Sequence, residues 1–152
     1  MNGEDLDLDI LLELKIKVNE SYNGKKIPAS ELSLFAEKMD NGEEPKRFYD
    51  AKTSNTEEGN VIRGRILLTN DKLIFIGNPG GNRIGAVIKH KDLVGAEIDV
   101  NERDKSMATL TLIVEDEMML EYQFEMSRFG LEALANYIMG MAIKEDWLKL
   151  WH

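Results

Sequence analysis

Gly64-Arg65-Ile66-Leu67-Leu68-Thr69-Asn70-Asp71-Lys72-Leu73-Ile74-Phe75-Ile76 decides how the rest of the chain is read. Two short apolar runs flank Asn70-Asp71, a pair suited to a tight turn, so the stretch predicts a β-hairpin with strands over 61–69 and 72–76. Ile66 and Leu68 share one face of the first strand because side chains alternate along it. A charge at an inward position there is expected to unfold the domain, since it would be buried without a partner.

Working outward, the alternating pattern continues in both directions. Lys46 to Lys52 predicts a preceding strand with Phe48 in the core, and Thr53 to Asn60 carries no core-forming residue and reads as a surface loop. After the hairpin come the loop Gly77–Asn82, then strands over Ile84–Lys89, Asp92–Val100 and Met107–Val114, and a return strand over Met118–Glu125. Period 2 ends at Ser127, a good helix cap, and Leu131, Leu134, Ala135, Ile138 and Ala142 then repeat at 3 and 4. A terminal helix over 128–144 follows, extending towards Trp151. Gly130 and Gly140 each weaken it by about 1 kcal/mol against Ala, so tertiary packing has to hold it. Seven antiparallel strands and one amphipathic helix predict a mainly β architecture, a small barrel or sandwich capped by the C-terminal helix.

The first 42 residues read differently. Apolar residues at 6, 8, 10, 12, 14, 16 and 18 alternate with charges at 7, 9, 13, 15 and 17. That period predicts a strand, although acids at the front and Lys15 and Lys17 at the back would also suit a helix dipole. Ser30 to Met39 predicts a short helix stopped at Asn41-Gly42. The expected organisation is an N-terminal strand-and-helix extension over 1–42 and a main domain over 43–152.

Composition bounds the function. The 152 residues fit one domain, and the hydrophobic fraction of 43% supports a packed core. With 19 Lys and Arg against 28 Asp and Glu, the net charge is −9. This disfavours nucleic acid and anionic membranes as partners while leaving room for a local basic patch. There is no cysteine, which excludes disulfides and thiolate chemistry. The acidic start lacks the pattern of a signal peptide, and no apolar run approaches the roughly 20 residues of a membrane helix. A cytoplasmic protein is the expectation.

The Gly64–Ile76 hairpin resembles the central hairpin of bacterial pleckstrin-homology-like and GRAM-like domains, and Lys91-Asp92-Leu93-Val94-Gly95-Ala96-Glu97 is similar to a later strand of that family. The resemblance covers about residues 43 to 144 and implies a seven-stranded antiparallel barrel with a closing helix. It also implies a binding role. Family members that bind inositol phosphates use a Lys followed by Arg-x-Arg on the first hairpin, and Arg63-Gly64-Arg65 with Lys52 is the nearest match, with Lys46 and Arg47 as further cations. Convergent Lys and Arg donors are what desolvating a phosphate requires. Arg63 and Arg65 stand two apart, however, and equally suit one solvated face.

Other features carry less. Arg83, Lys89, His90 and Lys91 form a small basic cluster that reads foremost as solvated surface. The glycines of 77–85 lack the following helix that a phosphate loop needs. Two histidines cannot build a histidine-rich metal site, and the calcium-loop likeness of Asp99–Asp104 has Arg103 at a ligand position. No catalytic residue, metal site or cofactor is expected, and no enzyme activity. Six of the eight methionines lie between Met107 and Met141, where core filling and adaptable contact surface are both open roles. Met139, Ile143, Trp147 and Trp151 form an i, i+4 row on another face of the terminal helix, and Trp is a strong interface anchor. The expectation is a non-catalytic binding module acting through a protein partner or self-association, with a lipid-headgroup module using Lys52, Arg63 and Arg65 as the alternative.

Overall fold

A computed structural model describes residues 3–21, 27–55, 60–77, 83–115 and 117–141. Helices α1 (Gly3–Ser21) and α2 (Ala29–Glu37) precede strands β1 (Pro45–Asn55), β2 (Asn60–Thr69), β3 (Lys72–Gly77) and β4 (Arg83–Lys89). A 3-10 turn at His90–Asp92 leads into β5 (Leu93–Val100), β6 (Met107–Glu115) and β7 (Met119–Ser127), and helix α3 (Arg128–Met141) follows. All strands are antiparallel to their neighbours in one sheet of order β4-β3-β2-β1-β7-β6-β5. The seven strands and the closing helix match the expected architecture. β1 and β2 are longer than expected, so residues 53–55 and Asn60 of the predicted loop are strand, and 56–59 lie outside the described residues.

The sheet wraps one core. Ile66, Leu68 and Phe75 from one half meet Leu110, Leu112 and Phe124 from the other, and Leu131, Leu134 and Ile138 of α3 close the open end. The Phe75 and Phe124 rings lie 5.2 Å apart. Leu131, Leu134, Ala135 and Ile138 are buried, as the 3-and-4 spacing requires.

A second core lies on the outer face of β1–β3. Leu14 and Val18 of α1 and Leu32 and Phe35 of α2 pack on Phe48, Leu67, Ile74 and Ile76. Phe35 meets Phe48 edge-on, with ring centroids 5.3 Å apart. Two-sided burial explains why Ile66-Leu67-Leu68 and Leu73-Ile74-Phe75-Ile76 are unbroken apolar runs: alternate residues serve different cores.

The expected N-terminal strand is a helix. A strand's backbone groups need a neighbouring ladder, whereas a helix satisfies its own. Within the alternating run, Leu11, Leu14 and Val18 also fall at i, i+3 and i+7, with Ile10 beside them, and this stripe docks on the sheet. The alternation leaves Leu12 and Ile16 outward, 59% and 56% exposed. Lys15 and Lys17 do not complement the dipole of this helix, which runs on to Ser21 with no basic residue in its last turn.

Two glycines are fixed by geometry. Gly42 has φ +83° and ends the turn after α2, as Asn41-Gly42 predicts. Gly64, the first residue of the hairpin motif, lies so close to β3 that a Cβ would sit 2.1 Å from Ile76 O.

Candidate functional site

The halves of the sheet meet where β1 pairs with β7, through the single register pair Lys52↔Glu125. Thr53 Oγ1 donates to Gln123 O at 2.7 Å, and Lys52 Nζ lies 3.6 Å from Glu125 Oε1. Beside this joint is an open groove of about 750 Å³. Its floor is β1 from Arg47 to Lys52 with Arg63–Arg65 of β2, and its far wall is Met126, Phe129, Gly130 and Ala133 at the β7–α3 junction, with Met107. Phe129 stands 82% exposed at the rim. Nothing in the 3-and-4 stripe of α3 singles it out, and sequence reasoning missed it. The one available signal was a large aromatic directly after the helix cap and off the buried stripe.

All three candidate anion-binding residues line this groove. Their charges are not equally available. Arg65 Nη1 donates to Glu31 Oε2 of α2, and Arg65 Nε lies 3.9 Å from Asp50 Oδ1. Lys52 faces Glu125. Arg63 is exposed and has no ion pair among the described residues. Arg47, whose guanidinium carbon lies 5.8 Å from the Tyr49 ring centroid, joins it on the groove. The lining thus holds four cationic and two acidic side chains on a strongly acidic protein.

Glu31 is fully buried, and one carboxylate oxygen, Oε1, has no hydrogen-bond partner. Burial lifts its pKa above the ordinary carboxylate value, the Arg65 charge and hydrogen bond pull it part of the way back, and Asp50 pushes it up again. Arg65 therefore serves first as a tether between α2 and β2.

The candidate contact row lies mostly outside the described residues. Ile143, Trp147 and Trp151 fall beyond Met141, and for Met139 only the backbone, within α3, is described. Other apolar side chains are exposed: Leu12 and Ile16 on α1, and Met118 and Met119 at the β6–β7 turn. Of the methionines between Met107 and Met141, Met126 fills the core while Met118 and Met119 are exposed.

The basic cluster after β4 does not converge. His90 is buried, with Nε2 3.0 Å from Thr69 O, while Lys89 and Lys91 are exposed. Nearby, Lys72 Nζ donates to Lys38 O at 2.9 Å and lies 3.0 Å from Glu43 Oε1, 3.2 Å from Asp40 Oδ2 and 3.7 Å from Asp71 Oδ2. Carboxylate oxygens of Asp40, Glu43 and Asp71 lie within 4.8 Å of one another, close enough to hold a metal ion. The Lys72 ammonium already occupies that position. Its own burial is the largest single influence and lowers its pKa, but Glu43 and Asp40 together outweigh it and hold the pKa above the usual lysine value. The Asp99–Asp104 turn is closed by Asn101 Oδ1, which accepts from Arg103 N at 2.9 Å and Asp104 N at 3.2 Å. Among the described residues no helix is long and apolar enough to cross a membrane.

No family model matches the chain, and no curated protein matches it in sequence. Solved structures do match. A DUF1696 family protein with a pleckstrin-homology domain from Shewanella loihica PV-4 superposes with a TM-score of 0.52 at 19% identity, over 76% of this chain and 94% of its own. A pleckstrin-homology domain from Shewanella amazonensis SB2B gives 0.52 at 17% identity, over 79% and 92%. The hSac2 domain of the human phosphoinositide phosphatase Sac2 gives 0.56 at 11% identity, over 80% and 89%. At these identities the likeness is one of fold.

Proposed function

We propose that this pleckstrin-homology-like chain is a non-catalytic binding module that acts through protein contacts made in the β1–β7–α3 groove. One observation carries this reading: an open groove with an exposed aromatic at its rim has two of its four cations already facing acids. An exposed Arg63 and an exposed Phe129 on one groove suit a peptide that pairs an acidic residue with an apolar anchor. A bare phosphate would ask for several convergent, unpaired donors. The groove volume of about 750 Å³ is ample for a few residues of peptide. The Gly64–Ile76 hairpin, similar to that of GRAM-like domains, supports the same class of module.

The second reading, a lipid-headgroup module, is favoured by the exposed Arg63 and by Arg47 on the same groove. The two separate cleanly. A peptide array probed with the full chain should select acidic sequences with an aromatic or leucine anchor, and Phe129→Asp should abolish that selection. Flotation with vesicles containing phosphatidylserine or a phosphoinositide should leave the chain in the soluble fraction. Retention on vesicles that Arg63→Glu abolishes would establish the lipid reading instead. Light scattering at several concentrations tests self-association, because a dimer lost in Phe129→Asp would make the partner a second copy.

A further inference from the structure

We propose that the groove receives the β6–β7 turn of a second copy of this chain, with the turn's methionines set against Phe129. The inference rests on reading the groove as a peptide-binding surface and names the segment that enters it. At the turn, Met118 is 64% exposed, Met119 60% and Leu120 39%. Three consecutive apolar residues turned to solvent are a liability unless something covers them. Glu115, Glu117 and Glu121 flank them and are exposed as well. Acids bracketing apolar anchors complement the groove, which has exposed Arg47 and Arg63 on its floor and Phe129 at its rim. Methionine suits such a seat, because its unbranched side chain adapts to an irregular surface and its sulfur packs favourably on an aromatic ring.

The turn does not reach the groove of its own chain. Both lie along β7, which pairs with β6 over its whole length: the turn begins before Met119, and the groove is lined by Glu125, Met126 and Ser127. Six residues of strand at about 3.4 Å each hold the two about 20 Å apart. A second copy is therefore the donor. Since turn and groove occupy opposite ends of one strand, two copies laid antiparallel along β7 can exchange turns reciprocally and close as a dimer. Net charge opposes this, because two chains of −9 repel each other. At physiological salt that repulsion is screened beyond about 8 Å, whereas a glutamate seated on Arg63 lies well inside that distance. Local charge then selects this orientation, and the covered apolar surface supplies the affinity.

The experiment follows the mass of the full chain by light scattering as concentration rises, and the native chain should climb from monomer towards dimer. Met118→Asp/Met119→Asp at the turn and Phe129→Asp in the groove should each raise the dissociation constant roughly 30-fold or more, the size of losing an interface anchor. Far-UV circular dichroism should be unchanged in both, since all three side chains are exposed. Arg63→Glu should weaken association in the same direction. The decisive step mixes the two monomeric variants: one keeps an intact groove and the other an intact turn, so together they should form a one-to-one complex. A native chain that stays monomeric at every concentration would overturn the proposal while leaving the groove's peptide reading to its own array test. Association that survives the turn substitutions, or that Leu12→Asp on the exposed face of α1 removes instead, would place the contact elsewhere and overturn it too. Two monomeric variants that fail to recombine would show that like surfaces pair with like, also against the proposal.

Discussion

Arg65→Met tests whether the ion pair to Glu31 tethers the N-terminal helices to the sheet. Methionine keeps an unbranched apolar stem and removes the charge, leaving the Glu31 carboxylate fully buried with neither oxygen supplied by a cation. Breaking a buried pair from one side costs about 3–5 kcal/mol, because the partner's desolvation is no longer compensated. In a chain of this size that loss corresponds to a fall in Tm of roughly 6–20 °C. The cost should also depend on pH, with a definite sign. The Glu31 pKa in the folded chain is raised above the ordinary 4.5, so folding takes up a proton. The associated stability is fully present below pH 4.5 and is lost as pH rises through the folded pKa. Removing Arg65 raises the folded pKa further. The gap between wild type and Arg65→Met should therefore widen from pH 5 to pH 8, by up to about 1.4 kcal/mol for each pH unit in which the variant stays protonated. Urea unfolding followed by circular dichroism at both pH values measures this. The double variant Glu31→Leu/Arg65→Met should recover most of the loss, since two apolar groups can replace a buried pair at little cost. A penalty below about 1 kcal/mol at pH 8, or a double variant no better than Arg65→Met, would refute the tether.

Four further outcomes are expected. Lys72→Ala should destabilise the chain by about 3–5 kcal/mol by stranding buried Glu43. Calcium or manganese should then raise its Tm by filling the Asp40–Glu43–Asp71 position and leave wild type unchanged, as read by scanning calorimetry with and without the ion. Gly64→Ala should cost about 1–3 kcal/mol in urea unfolding, because the new methyl must push apart the backbones of β2 and β3. Burial holds the His90 pKa below 6.5, outweighing its bond to Thr69 and the charges of Asp71 and Glu43, so its contribution is present above pH 6.5 and fades as pH falls towards the folded pKa. The stability difference between wild type and His90→Gln should thus narrow on acidification below pH 6.5, and a difference that stays constant would rule out this titration. Leu67→Asp should unfold the chain as completely as Ile66→Asp, since both residues are fully buried, each in a different core. A folded Leu67→Asp by circular dichroism would mean that the helices do not cover β2.

The predicted set of seven strands and the closing helix are the elements found, because each strand's period was set by its own neighbours in the chain. Thr69 shows how local that information is. Its Oγ1 accepts from Lys72 N at 2.9 Å and Asp71 N at 3.1 Å, so the hairpin turn is built from residues within the quoted motif. The pleckstrin-homology-like fold was legible in that motif for the same reason, down to its leading glycine. The error at α1 has the opposite origin. Residues 6 to 18 satisfy period 2 and contain a helical stripe as well, and the choice fell to the apolar face of β1–β3 on which Leu14 and Val18 land.

The candidate site divides along the same line. That Lys52, Arg63 and Arg65 approach one another follows from antiparallel pairing of β1 with β2, where Lys52 faces Arg63 and Asp50 faces Arg65. Their different fates depend on residues far away in the chain, with Glu31 reaching Arg65 across 34 positions and Glu125 meeting Lys52 across the β1–β7 joint. The amino-acid sequence by itself determined the strands, their turns and the closing helix, since backbone hydrogen bonding and side-chain periodicity act over a few residues. Which faces α1 and α2 cover, which arginine remains free and where Phe129 is left exposed were decided only by the tertiary structure. Burial and ion pairing there depend on surfaces that meet only once the chain has folded.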